Sequence, residues 1–396
     1  MFSVRLVPTK ELACGEVGLE AFVALAREVL SRGGVSTTVV VDPRTGTVVR
    51  GSELCATLAK IGVRYVPVSY GKSEEVFVPL EALGFFDDIQ PSRYRVFSDT
   101  EELLYRNWPT PLVRLPRASV GGRVVWAKLE GLNPWSMSVK DRIGWSMYRR
   151  ALERLGRVEG LVEATSTNTG LALAAMASIH GSRLRAYIPS TVSRAGELLL
   201  KLFGAEVVRS PIASITVELI GDAERDARAS GAVHLNQFEN DANFEVHLRY
   251  TAKELELQLR EAGVVPKAIV GGLGTSGHIS ALALYFKSRF RGVRVYGVVP
   301  AKGTSIQGIR RVETGMKWVH LVELDGVIEV LPEEAADGVL RVVRSEGILI
   351  GLSSGAVYTA YRKLVESGEL EEGDYVLVFP DHGFKYLEQL EKLLKL

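Results

Sequence analysis

The sequence predicts an α/β protein built on parallel sheets, from two observations. Short apolar runs alternate with amphipathic stretches over the C-terminal three quarters of the chain, and glycine- or hydroxyl-rich loops lie where strand patterns give way to helical ones. Val124–Leu129, Arg185–Pro189, Glu206–Arg209, Ala268–Gly271, Arg294–Pro300 and Tyr375–Pro380 have the apolar content and length of buried strands. Leu171–His180, Ala195–Phe203, Ala242–Glu261 and Glu333–Arg344 carry helical periodicity. Strand–helix alternation implies helices on both faces of each sheet, and ligands then bind where strand carboxyl ends lead into helices.

Residues 1–95 read as a separate small α/β domain. A helix over Leu19–Leu30 precedes a strand over Thr37–Val41, a turn over Asp42–Gly46, a return strand over Thr47–Arg50, a helix over Glu53–Ile61 and a strand over Tyr65–Val68. Phe85–Asp99, with Pro91 and Ser92, reads as a linker. The 396 residues suit two or three domains, and 46% hydrophobic content is enough for large cores. A net charge of +1 gives no reason to expect nucleic acid or an anionic membrane as partner. Cys14 and Cys55 lack metal-ligand spacing, so the expectation is two reduced thiols and no metal site, a disulfide being the alternative. With no signal-like apolar core and no run long enough to span a membrane, the expected location is the cytoplasm. Abundant Arg with scarce Met, Gln and Cys hints at a hot habitat.

Four segments carry the chemistry. The first is Asn133–Arg142, which opens a helix after a strand and contains Ser138-Val139-Lys140-Asp141-Arg142. With Thr110–Leu115, Lys128-Leu129-Glu130 and Asn133-Pro134, it resembles the cysteine synthase family of fold-type II pyridoxal-phosphate enzymes, and the similarity runs from near Trp108 to Tyr386. The resemblance implies a tryptophan-synthase-β-like fold with two parallel-sheet subdomains over residues 96–396, the smaller and mobile one near 138–245. It also implies pyridoxal 5'-phosphate as cofactor, Lys140 as the lysine that bonds it, and a homodimer. A desolvated amine at a helix start suits that lysine, which must also carry a proton.

The second segment is Glu163–Gly170. Its hydroxyls and N–H groups converge on a helix N-terminus, which suits a carboxylate. By resemblance, Asn168 binds the cofactor's ring hydroxyl, while Thr165, Ser166 and Thr169, with Gln237 and its neighbour Phe238 from a later loop, hold the substrate. Thr167 stands where the family usually has Gly, which bears on the shape of the substrate loop. Alone, Ser166 and Thr169 are equally well explained as helix caps. The third segment, Gly271–His278, is a glycine turn between strand and helix. By resemblance it is the cofactor's phosphate cup, formed by Gly274, Thr275, Ser276, Gly277 and His278, with His278 replacing a small hydroxyl residue; a capping role for His278 is the alternative. The fourth is Gly351–Gly355, in which, by resemblance, Ser353 faces the pyridine nitrogen; alone, its small residues would read as a helix cap. A neutral serine there weakens the electron sink and favours loss of a β-substituent over transamination.

Gly308-Ile309-Arg310-Arg311-Val312-Glu313 bears on the substrate. A guanidinium can clamp a phosphate with parallel hydrogen bonds. This run, like Asn236-Gln237-Phe238, resembles archaeal O-phosphoserine sulfhydrylases, Arg310 being the matching arginine. The expected reaction replaces the phosphate of O-phosphoserine with sulfide to give cysteine. O-acetylserine sulfhydrylase, cystathionine β-synthase and a catalytically retired regulatory subunit are the alternatives. Val39–Gly46, Gly51, Leu58–Gly62 and Val66–Val68 resemble the ParB-like fold and its free-serine kinase branch. Ser52-Glu53-Leu54 stands where those domains carry basic residues, so kinase activity is not expected.

Overall fold

In the computed structural model, residues 4–89, 95–105 and 109–396 are described, so Pro91, Ser92 and Trp108 lie outside them. The largest sheet has six strands in the order Gly326–Val330, Arg294–Pro300, Ala268–Gly272, Gly373–Phe379, Arg123–Leu129 and Leu112–Arg114. All pair in parallel except the edge strand Leu112–Arg114, which runs antiparallel. The second sheet is wholly parallel, in the order Glu206–Arg209, Arg183–Ile188, Gly160–Ala164 and Val233–His234. Parallel strands buried on both faces need continuous apolar runs, and Ile269, Val270, Val376 and Leu377 are fully buried accordingly.

The strand and helix readings agree with these elements to within a few residues. The helical stretch from Ala242 is interrupted: one π turn, His247–Thr251, lies between Ala242–Val246 and Ala252–Ala262. Such insertions are rare and occur mostly as single turns.

The N-terminal region forms a four-stranded sheet, Arg5–Pro8, Tyr65–Ser69, Val39–Val41 and Val48–Arg50, with a two-stranded ribbon of Gly34–Thr37 and Glu75–Pro79. Its helix Leu19–Arg32 packs on Gly277–Arg289, and one apolar cluster runs from Phe22, Leu30 and Leu80 into Phe244, Leu255 and Tyr285. The linker reading therefore fails at its start. Phe85 is fully buried and stacks on Tyr285 at 6.2 Å. Its carbonyl accepts from buried Lys253 at 2.6 Å, and Gly62 O does so at 3.1 Å.

The expectation of free thiols is also corrected. Cys14 and Cys55 form a disulfide, with Cα atoms 5.2 Å apart, because the bridge between Ala13 and Thr47 brings the first loop against the helix Ser52–Lys60. Among the described residues, no helix is long and apolar enough to cross a membrane.

Candidate active site

The site lies where the two parallel sheets present their strand carboxyl ends to each other. Lys140 begins the helix Lys140–Leu155, and the preceding residue is tied to the large sheet: Val139 N donates to Pro380 O at 2.8 Å. Asp141 fixes the loop before it, accepting from the main-chain N–H groups of Trp135 at 2.7 Å and Ser136 at 2.9 Å. Burial raises the Asp141 carboxyl to about 6, against those hydrogen bonds. The Lys140 side chain is half-buried. Burial lowers its ammonium to about 8, opposed by nearby Asp381.

Asn168, Ser353 and Asp381 meet in one pocket. Asn168 Nδ2 donates to Asp381 Oδ2 at 2.9 Å, and the Ser353 hydroxyl donates to Asp381 Oδ1 at 3.3 Å. The Tyr386 hydroxyl also donates to Asp381 Oδ2; burial, and then Asp381, push its pKa well above the usual phenol range. Asp381 and Tyr386 were missed in the sequence. The available signal was position: Pro380-Asp381 follows the strand Gly373–Phe379 at its carboxyl end. The pocket beside Ser353 thus holds a carboxylate, although the serine itself is neutral.

The substrate-loop residues divide by partner. Thr165 is fully buried, and its hydroxyl accepts the Gly170 N–H at 2.9 Å, a capping role. The Thr167 hydroxyl donates to Ser166 O at 2.8 Å and accepts from Gln307 Nε2 at 3.3 Å. Ser166 is half-buried in the same loop. Thr169 donates to Gln237 Oε1 at 2.7 Å, which joins the two loops. Phe238 lies beneath Arg310, whose guanidinium carbon is 4.6 Å from the ring centre.

The glycine turn enters the helix Gly277–Arg289 through Ser276 in the left-handed conformation, at φ 75°. A Cβ on Gly277 would lie 2.4 Å from Asn243 Oδ1, and one on Gly274 would lie 2.7 Å from Gly308 O, so neither position has room for a side chain. Asn243, also missed, donates through Nδ2 to Thr275 Oγ1 and to Gln237 O, both at 2.8 Å. His278 is buried against His247, and burial lowers it to about 3, leaving a neutral imidazole.

These residues fit pyridoxal phosphate. A glycine turn with main-chain N–H groups at a helix start suits the phosphate. The buried atoms Asn168 Oδ1, His278 Nε2 and Asn243 Oδ1 have no partner among the described residues, and the Lys140 amine is held partly out of water.

Comparison with known proteins decides the family. A family model described as "Pyridoxal-phosphate dependent enzyme" matches residues 103–381. The chain belongs to this family. Cysteine synthase B of Pseudomonas aeruginosa is 35% identical over 287 residues, 70% of this chain and 93% of that protein. Cystathionine beta-synthase of Saccharomyces cerevisiae is 33% identical over 307 residues, 70% of this chain and 60% of that one. Among solved structures, O-ureido-L-serine synthase superposes with a TM-score of 0.67 at 27% identity, covering 75% of this chain and 96% of that one. The O-acetylserine dependent cystathionine beta-synthase of Helicobacter pylori gives 0.65 at 26% identity, covering 74% and 98%. This pyridoxal-phosphate dependent enzyme is of the cysteine synthase type, and its cofactor is pyridoxal phosphate.

Proposed function

We propose that the enzyme is an O-phosphoserine sulfhydrylase, which replaces the phosphate of O-phosphoserine with sulfide to make cysteine. The observation that carries this reading is the contrast between two adjacent arginines. Arg311 is paired with Glu313 at 2.9 Å and Glu329 at 2.7 Å. Arg310 makes no ion pair among the described residues. Its Nη2 donates only to Thr314 O at 3.1 Å, its Nη1 is buried without a partner, and burial lowers its pKa. An unpaired guanidinium costs free energy, and a dianionic phosphate offsets that cost where a neutral acetyl group does not.

Lys140, Asn168, Ser353 and the Gly274–His278 turn would hold the cofactor. When bound, pyridoxal phosphate supplies an electron sink for the α-carbon of an amino acid. Lys140 Nζ, with its pKa brought near 8 by burial, takes the α-proton near neutral pH and later returns it. Ser166, Thr169 and Gln237 orient the substrate carboxylate, with Thr165 shaping their loop as its cap. Arg310 neutralises the phosphate as it leaves. Phe238 stiffens Arg310 from below.

The test compares substrates. Arg310→Ala should lower kcat/KM for O-phosphoserine by at least about tenfold, since a charge-assisted hydrogen bond contributes roughly 1.5–3 kcal/mol. Turnover of O-acetylserine should change little. Arg310→Lys should rescue in part, and Arg311→Ala should have the smaller effect. Equal losses on both substrates would assign Arg310 a structural role. No loss on either would favour O-acetylserine as substrate.

A further inference from the structure

We infer that Glu163 is a positioning residue for substrate binding: its buried carboxylate fixes the loop that presents Gln237. The inference rests on the reading of Gln237 as part of the carboxylate site. Glu163 is the penultimate residue of the strand Gly160–Ala164 and is 1% exposed. Its Oε1 accepts the Gln237 N–H and its Oε2 accepts the Asn236 N–H, both at 3.0 Å. One carboxylate thus satisfies two consecutive main-chain donors, at a loop where Asn236 adopts φ 53°.

The loop so fixed is joined to the Thr169 loop and to the glycine turn. Gln237 Nε2 donates to Ala164 O at 3.0 Å and its Oε1 accepts from Thr169 at 2.7 Å, so the amide can face in only one sense. Gln237 O accepts from Asn243 Nδ2 at 2.8 Å, and the same Nδ2 donates to Thr275 Oγ1 in the glycine turn. Glu163 therefore sets the height and rotation of Gln237 without facing substrate itself.

The carboxylate has no strong counter-charge. The groups facing it are the two N–H groups, the Gln237 amide and, at 4.0 Å, His234 Nε2 from the neighbouring strand Val233–His234; His234 in turn feels Glu224 of the helix Val217–Ser230. Burial raises Glu163 to about 7, with the loop hydrogen bonds opposing, and burial lowers His234, leaving it neutral there. Above about pH 7 both carboxylate oxygens accept. As pH falls through that value, one oxygen takes a proton and holds its N–H less well. Substrate affinity should therefore weaken on the acid side.

Glu163→Gln keeps the size but turns an amide NH2 toward one of the two N–H donors. In the full-length holoenzyme, KM for O-phosphoserine and for O-acetylserine should each rise about tenfold, with kcat within about twofold, as for lost binding rather than lost chemistry. Cofactor affinity, read by titrating apoenzyme with pyridoxal phosphate, should stay at the parent value, and the melting temperature should fall only by what one lost buried hydrogen bond costs. The pH inflection near 7 in the KM for O-acetylserine, which has no titrating phosphate, should disappear. It should persist in His234→Gln.

Unchanged KM and an unchanged inflection in Glu163→Gln would overturn the inference. So would a parallel loss of kcat, cofactor affinity and melting temperature, which marks a general structural role. Loss of the inflection in His234→Gln would assign the proton to the histidine. Because both substrates share the carboxylate, these outcomes are independent of the phosphate reading. That reading fails separately, if the parent prefers O-acetylserine and Arg310→Ala changes nothing.

Discussion

Two sets of buried polar groups lie near the start of the Lys140 helix, and they differ in how many of their atoms have partners. In the first, Lys128, Glu130, Arg142 and Glu254 form a neutral set of two cations and two anions, all nearly inaccessible. Arg142 bonds Glu130 through Nε at 2.7 Å and Nη2 at 2.9 Å, and Glu254 through Nη1 at 3.0 Å. Lys128 also donates to Thr110 O at 2.7 Å and Gln258 Oε1 at 2.9 Å. Burial opposes ionisation of Glu130, but Arg142 and Lys128 overcome it and hold its carboxyl well below the usual range. In the second, Asn168 Oδ1, His278 Nε2, Asn243 Oδ1 and Arg310 Nη1 have no partner among the described residues. A buried charge network is complete in itself and fixes geometry. An incomplete set carries a standing cost in the protein alone, and a ligand removes that cost.

The largest effect that tests this contrast is on activity. Lys140→Ala should reduce cysteine formation by roughly two to four orders of magnitude, the usual contribution of a general base, and by more if the cofactor is no longer held. With both proteins free of cofactor, its melting temperature should equal or exceed the parent's, because the amine it removes is one that burial has pushed down to about 8. A melting temperature well below the parent's would mean that Lys140 belongs to the framework, and the contrast would collapse.

Stability should respond in the opposite way in the paired network around Arg142. Glu254→Gln leaves Lys128 and Arg142 facing Glu130 alone, one buried positive charge in excess. Removing one partner of a buried pair costs about 3–5 kcal/mol, which guanidinium titration of the holoenzyme would read as a lower unfolding midpoint. An unchanged midpoint would show that water or a rearranged partner reaches the network.

The two clusters were also unequally legible in the sequence. Lys140, Asn168 and Ser353 each begin or nearly begin a helix after a strand or loop, so local patterning and family resemblance both point to them. Asp381 escaped because its partner Asn168 lies 213 residues away, and a single acid after a strand carries no local signature. Glu163 opened the second segment without a role, since its partners are main-chain N–H groups 73 and 74 residues further on. The disulfide escaped for a different reason: compartment statistics favoured thiols, and only the tertiary approach of Ala13 to Thr47 brings Cys14 to Cys55. The π turn at His247–Thr251 was invisible because one extra residue per turn barely disturbs the apolar periodicity around it. Phe85 was misread because a buried aromatic beside a proline- and charge-rich stretch takes on the character of its neighbours.

The smallest expected effect sharpens the contrast inside the site itself. Ser353 donates to Asp381 Oδ1 at 3.3 Å, so Ser353→Asp would set two carboxylates side by side. Like charges that close cannot both ionise readily, and one of the pair should hold a proton at neutral pH. When the introduced acid passes that proton to the ring nitrogen, its carboxylate stabilises the pyridinium and strengthens the electron sink, which should reduce β-replacement by about tenfold and allow some transamination to appear. Ser353→Ala deletes the donor without adding charge and should cost less. Ser353→Ala should keep the parent's unfolding midpoint to within about 1 kcal/mol, since it does not touch the network around Arg142, whereas Ser353→Asp should lower it, because a second carboxyl is then buried beside Asp381. Parent-level turnover and product in both would show that Ser353 does not face the reacting ring, and that Asp381 alone defines the electrostatics of that pocket.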